Sequence, residues 1–350
     1  MPFINDVLNH NKEQQVLSKN KSSKAVTRFL FDPDQVTAEL RSRIVGQKAM
    51  LATISDQLHL IKSDIANPMR PLFVSLFLGP TGVGKTETVR ILAESILGSP
   101  DQLCRIDMNT LSQAHYSAAI TGAPPGYVGS KENHSLLNAE KIEGSYSRPG
   151  IVLFDEIEKA SKEVLRSLLN ILDSGVLPLP AGTKEINFRN ALIFMTCNVG
   201  AKELARHQKK ITTRWSVPIA RKWSKKRERT LLEQALEHTF DPEFINRIDQ
   251  SIYFERLHKE QIHELVQIEI KKLNHRLRKH QTSLHLSASA KQFLVEKYQE
   301  HYGARHLIRT LRTHIEPPLA RVLNAASKPS LQYVAKYENQ EIQISATSGH

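Results

Sequence analysis

The chain has 350 residues, with 48 Lys and Arg against 36 Asp and Glu, a formal net charge of +12 at pH 7. A hydrophobic fraction of 40% and a charged fraction of 24% are ordinary for a globular protein and exclude wholesale disorder or collagen-like structure. Cys104 and Cys197 are the only cysteines, which excludes a disulfide scaffold and a cysteine-built zinc site and suits a reducing, cytoplasmic setting.

Residues 1–35 are polar, carry the basic run KNKSSK, and are expected to form a flexible leader. There is no basic flank followed by an apolar block, so no signal peptide is expected. From Asp34 the apolar spacing turns helical, through Val36, Leu40 and Ile44, then Met50, Leu51, Ile54 and Leu58. FVSLFL (73–78) is strand-like and runs into a glycine turn. Thr86 to Leu97 then places Val89, Leu92, Ile96 and Leu97 at helical spacing. LCRI (103–106) and IVLF (151–154) are the second and third strands, and a helix with Val164, Leu165, Leu168, Leu169 and Leu172 follows. LIFMT (192–196) is a fourth strand, expected beside the second and third, and SIYF (251–254) a fifth. Apolar strands alternating with helices predict a parallel sheet covered on both faces, an α/β architecture. After Phe254 the pattern becomes helical, with Ile262, Leu265, Val266, Ile270, Leu273 and Leu277 along one stripe. Further helices are predicted around Phe293, Leu294 and Tyr298, and around Leu307, Leu311 and Ile315. The tail LQYVAKYENQEIQISA predicts a terminal hairpin. The expected domains are 36–255, α/β, and 256–350, small and mainly helical. No run of about 18 uncharged apolar residues is present, so no membrane span is expected.

Gly79, Pro80, Thr81, Gly82, Val83, Gly84, Lys85 and Thr86 fit the eight-position P-loop, after a strand and before a helix. Backbone N–H groups of such a loop, and the helix N-terminus behind it, face phosphates. Lys85 suits the β and γ oxygens of a nucleoside triphosphate, and Thr86 suits Mg²⁺. About 70 residues on, Asp155 and Glu156 emerge from the end of an apolar strand, where ligands of open α/β sheets bind. Asp155 suits Mg²⁺ through its water shell. Glu156 suits the water that attacks the γ-phosphate.

With RIVGQ (43–47), GPTGVGKTETVR (79–90), RIDMN (105–109), GAPPGYVGS (122–130), IVLFDEIEKAS (151–161), FRNALIFMTCNVG (188–200), FDPEFINRID (240–249) and YGARHLIR (302–309), the chain resembles the second ATPase module of Clp-type protein unfoldases and disaggregases of the AAA+ superfamily. The matches run in family order from roughly Leu40 to Leu323. The resemblance implies an AAA+ fold, ATP and Mg²⁺ as ligands, and a homo-oligomeric, hexameric ring acting on a protein client. It implies catalytic roles for Glu156, for the sensor Asn198, for Arg247 as an arginine finger entering the neighbouring subunit, and for Arg305 as the small domain's sensor arginine. Ile44, Val45, Glu87 and Ile262 join the ATP-binding set, and Gly126, Tyr127, Val128 and Gly129 form a pore loop that grips polypeptide. GVLPLPAGTK (175–184) matches a second pore loop more weakly. The chain departs from the family in having Glu132, Asn133 and His134 in place of a Gly-Gly pair, and Cys197 before the sensor asparagine. No amino-terminal substrate domain, first ATPase module or middle insertion is expected. The Ile-Gly-Phe or Ile-Gly-Leu peptidase handle is missing too, so no peptidase partner is expected.

Residues 207–229, HQKKITTRWSVPIARKWSKKRER, combine basic side chains with Trp215 and Trp223. Such a segment suits nucleic acid, through phosphate contacts and stacking, an acidic partner, or a solvated helical face. The expected function is an ATP-driven protein-remodelling motor. The alternatives are a nucleic-acid-associated AAA+ ATPase of the loader or transposition type and an assembly ATPase of a secretion apparatus.

Overall fold

The computed structural model describes residues 27–112, 137–178, 185–200, 218–325 and 331–346, with backbone alone for 218–226 and at residue 301. The leader before residue 27, the loop bearing Gly126, Tyr127, Val128 and Gly129, residues 179–184 and residues 201–217 lie outside the described residues. The chain divides into two compact units. The first takes residues up to Ser42, Gln47–Pro80 and Lys85–Phe254. The second takes Arg43–Gly46, Thr81–Gly84 and the chain from Glu255.

The first unit begins with Phe29 and Phe31, both buried although the sequence places them in the leader. Their rings lie 6.0 Å apart, with the Arg28 guanidinium over Phe29 at 4.5 Å. Two aromatics bury enough surface to order a polar segment locally. Helices α1 (Pro33–Arg43) and α2 (Lys48–Lys62) follow, the latter with Met50, Leu51, Ile54 and Leu58 buried. Next come β1 (Phe73–Leu78), α3 (Lys85–Leu97), β2 (Cys104–Asp107), α4 (Ala139–Glu143), β3 (Gly150–Asp155) and α5 (Lys162–Ser174). Beyond them lie β4 (Val176–Pro178), β5 (Glu185–Asn187), β6 (Ala191–Cys197), α6 (Pro218–Thr239), α7 (Pro242–Asn246) and β7 (Gln250–Tyr253).

The main sheet has five strands in the order β2-β3-β6-β1-β7, every pair parallel. The fourth strand lies beside the third, as expected, but not beside the second. β6 sits between β3 and β1, and β2 lies beyond β3 at the edge. Burial explains the order. All seven residues of β6 are buried, as a central strand requires, whereas β2 alternates buried and exposed. Phe77 is the aromatic hub of one face, 5.4 Å from the Phe194 ring and 5.0 Å from that of Phe254. On the other face Leu76, Ile106, Phe154 and Met195 pack with Leu168 and Leu172 of α5. Ser161 caps the start of α5, accepting from Val164 N–H. Gly175 ends it in the left-handed region.

The second unit contains α8 (Lys259–Leu277), β8 (Ser283–Leu286), α9 (Ala288–Lys297), α10 (Ala304–His314), α11 (Glu316–Ala325), β9 (Gln332–Glu338) and β10 (Glu341–Ala346). The terminal hairpin is present, β9 antiparallel to β10. β8, which the sequence reading missed, adds to it in the order β10-β9-β8, parallel to β9. Four residues are too few for a period to register, yet Leu284 and Leu286 are buried in this unit's core with Tyr333 and Ile262.

Candidate active site

Three central strands end together. β1 runs into the glycine loop, β3 delivers Asp155 and then Glu156, and β6 delivers Thr196, Cys197 and then Asn198. Because all are parallel, their carboxyl ends open on the same side, and side chains far apart in sequence meet there. Lys85, buried in the first turn of α3, donates from Nζ to the carbonyl oxygens of Gly79 (2.6 Å) and Pro80 (2.8 Å), and to Asn198 Oδ1 (2.8 Å). The loop is thus curled tightly around its own lysine, a cation among oxygen acceptors. The Thr86 hydroxyl donates to Asp155 Oδ1 at 3.1 Å. These hard oxygen donors fit Mg²⁺, which usually takes one or two protein ligands and completes its shell with water and phosphate. Among the described residues, no cluster of three or more His, Cys, Asp or Glu could hold a metal alone.

The structure adds residues around the two carboxylates that the sequence reading did not single out. The Arg105 guanidinium reaches Asp155 Oδ2 through Nε (3.1 Å) and a terminal nitrogen (2.6 Å). Thr196, 1% exposed, donates its hydroxyl to Asp155 Oδ1 and accepts from the Glu156 backbone N–H at 2.9 Å. Glu156 itself is left-handed, with φ 59°. For a residue with a Cβ this costs about 1 kcal/mol or more, and such strain concentrates at functional sites. Asn109 Nδ2 donates to its Oε2 at 2.7 Å. Glu158 accepts twice on one oxygen, Oε1, from the backbone N–H (3.2 Å) and Nδ2 (3.1 Å) of Asn198. Only the pairing of β2 with β3 and of β3 with β6 brings these groups together. Residues 105 and 109 lie within a quoted motif, but nothing in its spacing announces their partners.

Burial pushes the Cys197 thiol well above its ordinary range, and the Glu158 carboxylate reinforces the shift. Cys104 is raised by burial too. Both thiols are therefore poor nucleophiles.

Arg247 lies at the end of α7 and pairs with Asp173 of α5 at 3.2 Å, both side chains more than a third exposed. An exposed pair of this kind is worth about 0–1 kcal/mol, so the guanidinium is readily released. Its backbone is held more firmly. Arg70 donates to the Arg247 carbonyl (3.2 Å) and pairs with Asp249 (2.9 Å), whose other oxygen accepts from Val74 N–H (2.8 Å). Burial raises the Asp249 carboxyl, against the pull of Val74 N–H and Arg70. Glu87, at the start of α3, pairs with Arg90 at 3.3 Å.

The other site residues singled out in the sequence, apart from those outside the described residues, belong to the second unit. Ile44, Val45 and Ile262 are all buried, Val45 and Ile262 in one apolar cluster. A Cβ at Gly84 would stand 3.7 Å from Ile44 Cδ1. Gly82, at φ +75°, leaves no room for a side chain, because a Cβ would meet Tyr302 O at 2.6 Å. Gly303, at φ +59°, is equally tight against Gly82 O. This close approach lets Ala304 N–H, at the start of α10, donate to Gly82 O at 2.8 Å. Arg305, next along α10, is exposed. Of the basic segment, the helical part beginning at Pro218 is described. Its last residue, Arg229, pairs with Glu233 at 3.1 Å and lies over the Tyr253 ring at 4.7 Å. Among the described residues, no helix is long and apolar enough to cross a membrane.

Comparison with known proteins agrees with this geometry. Residues 70–251 match the family model for the AAA domain (Cdc48 subfamily), and residues 257–332 match that for the C-terminal, D2-small domain of ClpB protein. The chain is 40% identical to the ATP-dependent protease ATP-binding subunit-like protein AmiB of Pseudomonas aeruginosa, covering 98% of this chain and 99% of that protein. It is 37% identical to the ATP-dependent Clp protease ATP-binding subunit ClpC of Staphylococcus saprophyticus over 81% of its own length, spanning 34% of ClpC. A cryo-EM structure of Hsp104 with ATPγS and FITC-casein superposes with a TM-score of 0.75 at 28% identity, covering 89% of this chain and 51% of that one. With a glycine loop and paired carboxylates at the parallel strand ends, and both family models matched in order, the chain belongs to the Clp-type AAA+ ATPases, with the organisation of the second module of ClpB.

Proposed function

We propose that this chain is an ATP-driven protein-remodelling motor that works as a homo-oligomeric ring, hexameric as in its family, in the cytoplasm. The observation that carries the reading is the convergence of Lys85, Thr86, Asp155, Glu156 and Asn198 at the carboxyl ends of β1, β3 and β6. In this reading ATP lies along the glycine loop, with residues 79–87 around its phosphates and Ile44, Val45 and Ile262 around its base. Mg²⁺, held by Thr86 and Asp155, would supply charge neutralisation at the β and γ oxygens. Glu156 takes a proton from water as the water oxygen bonds to the γ-phosphorus. The bond from that phosphorus to the β–γ bridging oxygen breaks, and ADP leaves with the electron pair. Arg247 leaves Asp173 to neutralise charge on the neighbouring subunit's phosphates, and Arg305 does so within its own subunit. Residues 36–255 and 256–350 act as large and small domains, and Tyr127 presses on an extended polypeptide without reading its sequence.

The test is ATPase rate with and without an unfolded protein such as casein, in wild type and Tyr127→Ala. The expected result is stimulation by casein that Tyr127→Ala abolishes. Stimulation by DNA alone, lost when Lys225, Lys226 and Arg227 are neutralised, would move the client class to nucleic acid.

A further inference from the structure

We propose that Glu158 is a positioning residue for hydrolysis, setting which atom of Asn198 faces the reaction. The inference rests on the ATPase reading and extends it to a residue outside the set above. A lysine ammonium only donates hydrogen bonds, and a carboxylate oxygen accepts them. Lys85 Nζ lies 2.8 Å from one end of the Asn198 carboxamide, and Glu158 Oε1 lies 3.1 Å from the other. The amide must therefore turn its oxygen to Lys85 and its nitrogen to Glu158. Glu158 also accepts from the Asn198 backbone N–H, at 3.2 Å, so backbone and side chain of the asparagine are pinned by the same oxygen.

The second carboxylate oxygen argues against a purely structural role. Glu158 Oε2 is buried and has no hydrogen-bond partner among the described residues. A buried acceptor left unsatisfied opposes folding, which offsets part of what the two bonds to Oε1 contribute to stability. What the carboxylate contributes is a fixed acceptor that prevents the amide from flipping. Asn198 thus offers an oxygen, not an N–H, at the end of β6. Once the phosphates engage Lys85, that oxygen can accept an O–H of the attacking water and point its lone pair at phosphorus. With the amide reversed, Asn198 would donate an N–H to the water oxygen and compete for the electron density that must attack phosphorus.

The experiment measures kcat and, separately, the Kd of a fluorescent ATP analogue. Glu158→Ala should lower kcat about tenfold while Kd stays within about twofold. Asn198→Asp, which sets two carboxylates face to face, should fall further. Adding Glu158→Gln to Asn198→Asp restores one donor between the two positions and keeps an oxygen toward Lys85, so it should recover kcat at least about fivefold over Asn198→Asp alone. A Glu158→Ala loss that appears in Kd with kcat intact would overturn the proposal. So would a Glu158→Gln addition that lowers kcat further. If Glu158→Ala does not fold, the reciprocal pair alone decides. Wild-type turnover is the control: its absence would defeat the ATPase reading, whereas a wild-type rate with no rescue defeats only the role of Glu158.

Discussion

At the carboxyl end of the five-stranded sheet, neighbouring parallel strands stop side by side. There the ends of β3 and β6 hold Asp155, Thr196 and Asn198, with Lys85 and Arg105 as counter-charges. In the three-stranded sheet of the second unit, β9 instead turns straight back into β10 through Asn339 and Gln340, both at positive φ. That two-residue turn closes the strand ends, and the inner residues, Tyr333 and Ala335, are apolar and buried. The difference lies in connectivity. Antiparallel neighbours are joined directly and use up their own ends, whereas parallel neighbours need crossovers and leave all their carboxyl ends on one side. The first arrangement makes a core and the second a site.

The contrast can be broken by substitution. Glu156→Asn should have the largest effect. It removes the carboxylate proposed as the base, so turnover should fall about 10²–10⁴-fold. Asn accepts the left-handed backbone readily, so the melting temperature should hold or rise. A clear drop in melting temperature would show that the strain belongs to the fold and not to the chemistry.

Tyr333→Ala probes the opposite end. Removing a ring that is 1% exposed should cost about 3–5 kcal/mol, as for other large-to-small core changes. Amide exchange should quicken in β8 and β9 and stay slow in β3 and β6. Equal loss in both sheets would mean that the two units do not unfold separately. Thr196→Val keeps shape but strips Asp155 of a donor and leaves Glu156 N–H unpaired in a buried place. We expect a loss of about 1–3 kcal/mol in chemical denaturation, and a neutral result would show that water replaces the hydroxyl.

The smallest effect is a pH slope common to both units. Tyr253 in the first is pushed up to about 12 by burial and then by Glu233, which accepts its hydroxyl at 3.0 Å. Tyr298 in the second is pushed up to about 12 by burial and then by Glu300. A folded-state pKa above the unfolded value of about 10 gives stability that is complete below pH 10 and is lost as pH rises through 12. Tyr253→Phe should therefore flatten the fall in stability over that window without abolishing it. An unchanged slope would assign all of it to Tyr298 or to other groups.

Legibility followed the range of the interaction. The glycine loop, the strand ending in Asp155 and Glu156, and the helical stripe from Ile262 to Leu277 are local patterns, and each reads directly from residue types at fixed spacing. Arg105, Thr196 and Glu158 passed unnoticed because their partners lie 50, 41 and 40 residues away. The fourth strand's second neighbour was misread for the same reason, β1 standing where the second strand was expected, since hydropathy reports how buried a strand is without saying beside which other strand it lies.

The sequence by itself determined the chemistry offered: a lysine and a threonine behind a glycine loop, two carboxylates after an apolar strand, and an asparagine after another. Periodicity and turn residues act over a few positions, which a linear reading can see. Only the tertiary structure decided that β6 would slip between β3 and β1, bringing Asn198 within reach of Lys85 on one side and Glu158 on the other. Hydrogen bonds reach about 3 Å in space regardless of separation along the chain, so the atom each polar group presents is fixed by the neighbours that folding gives it.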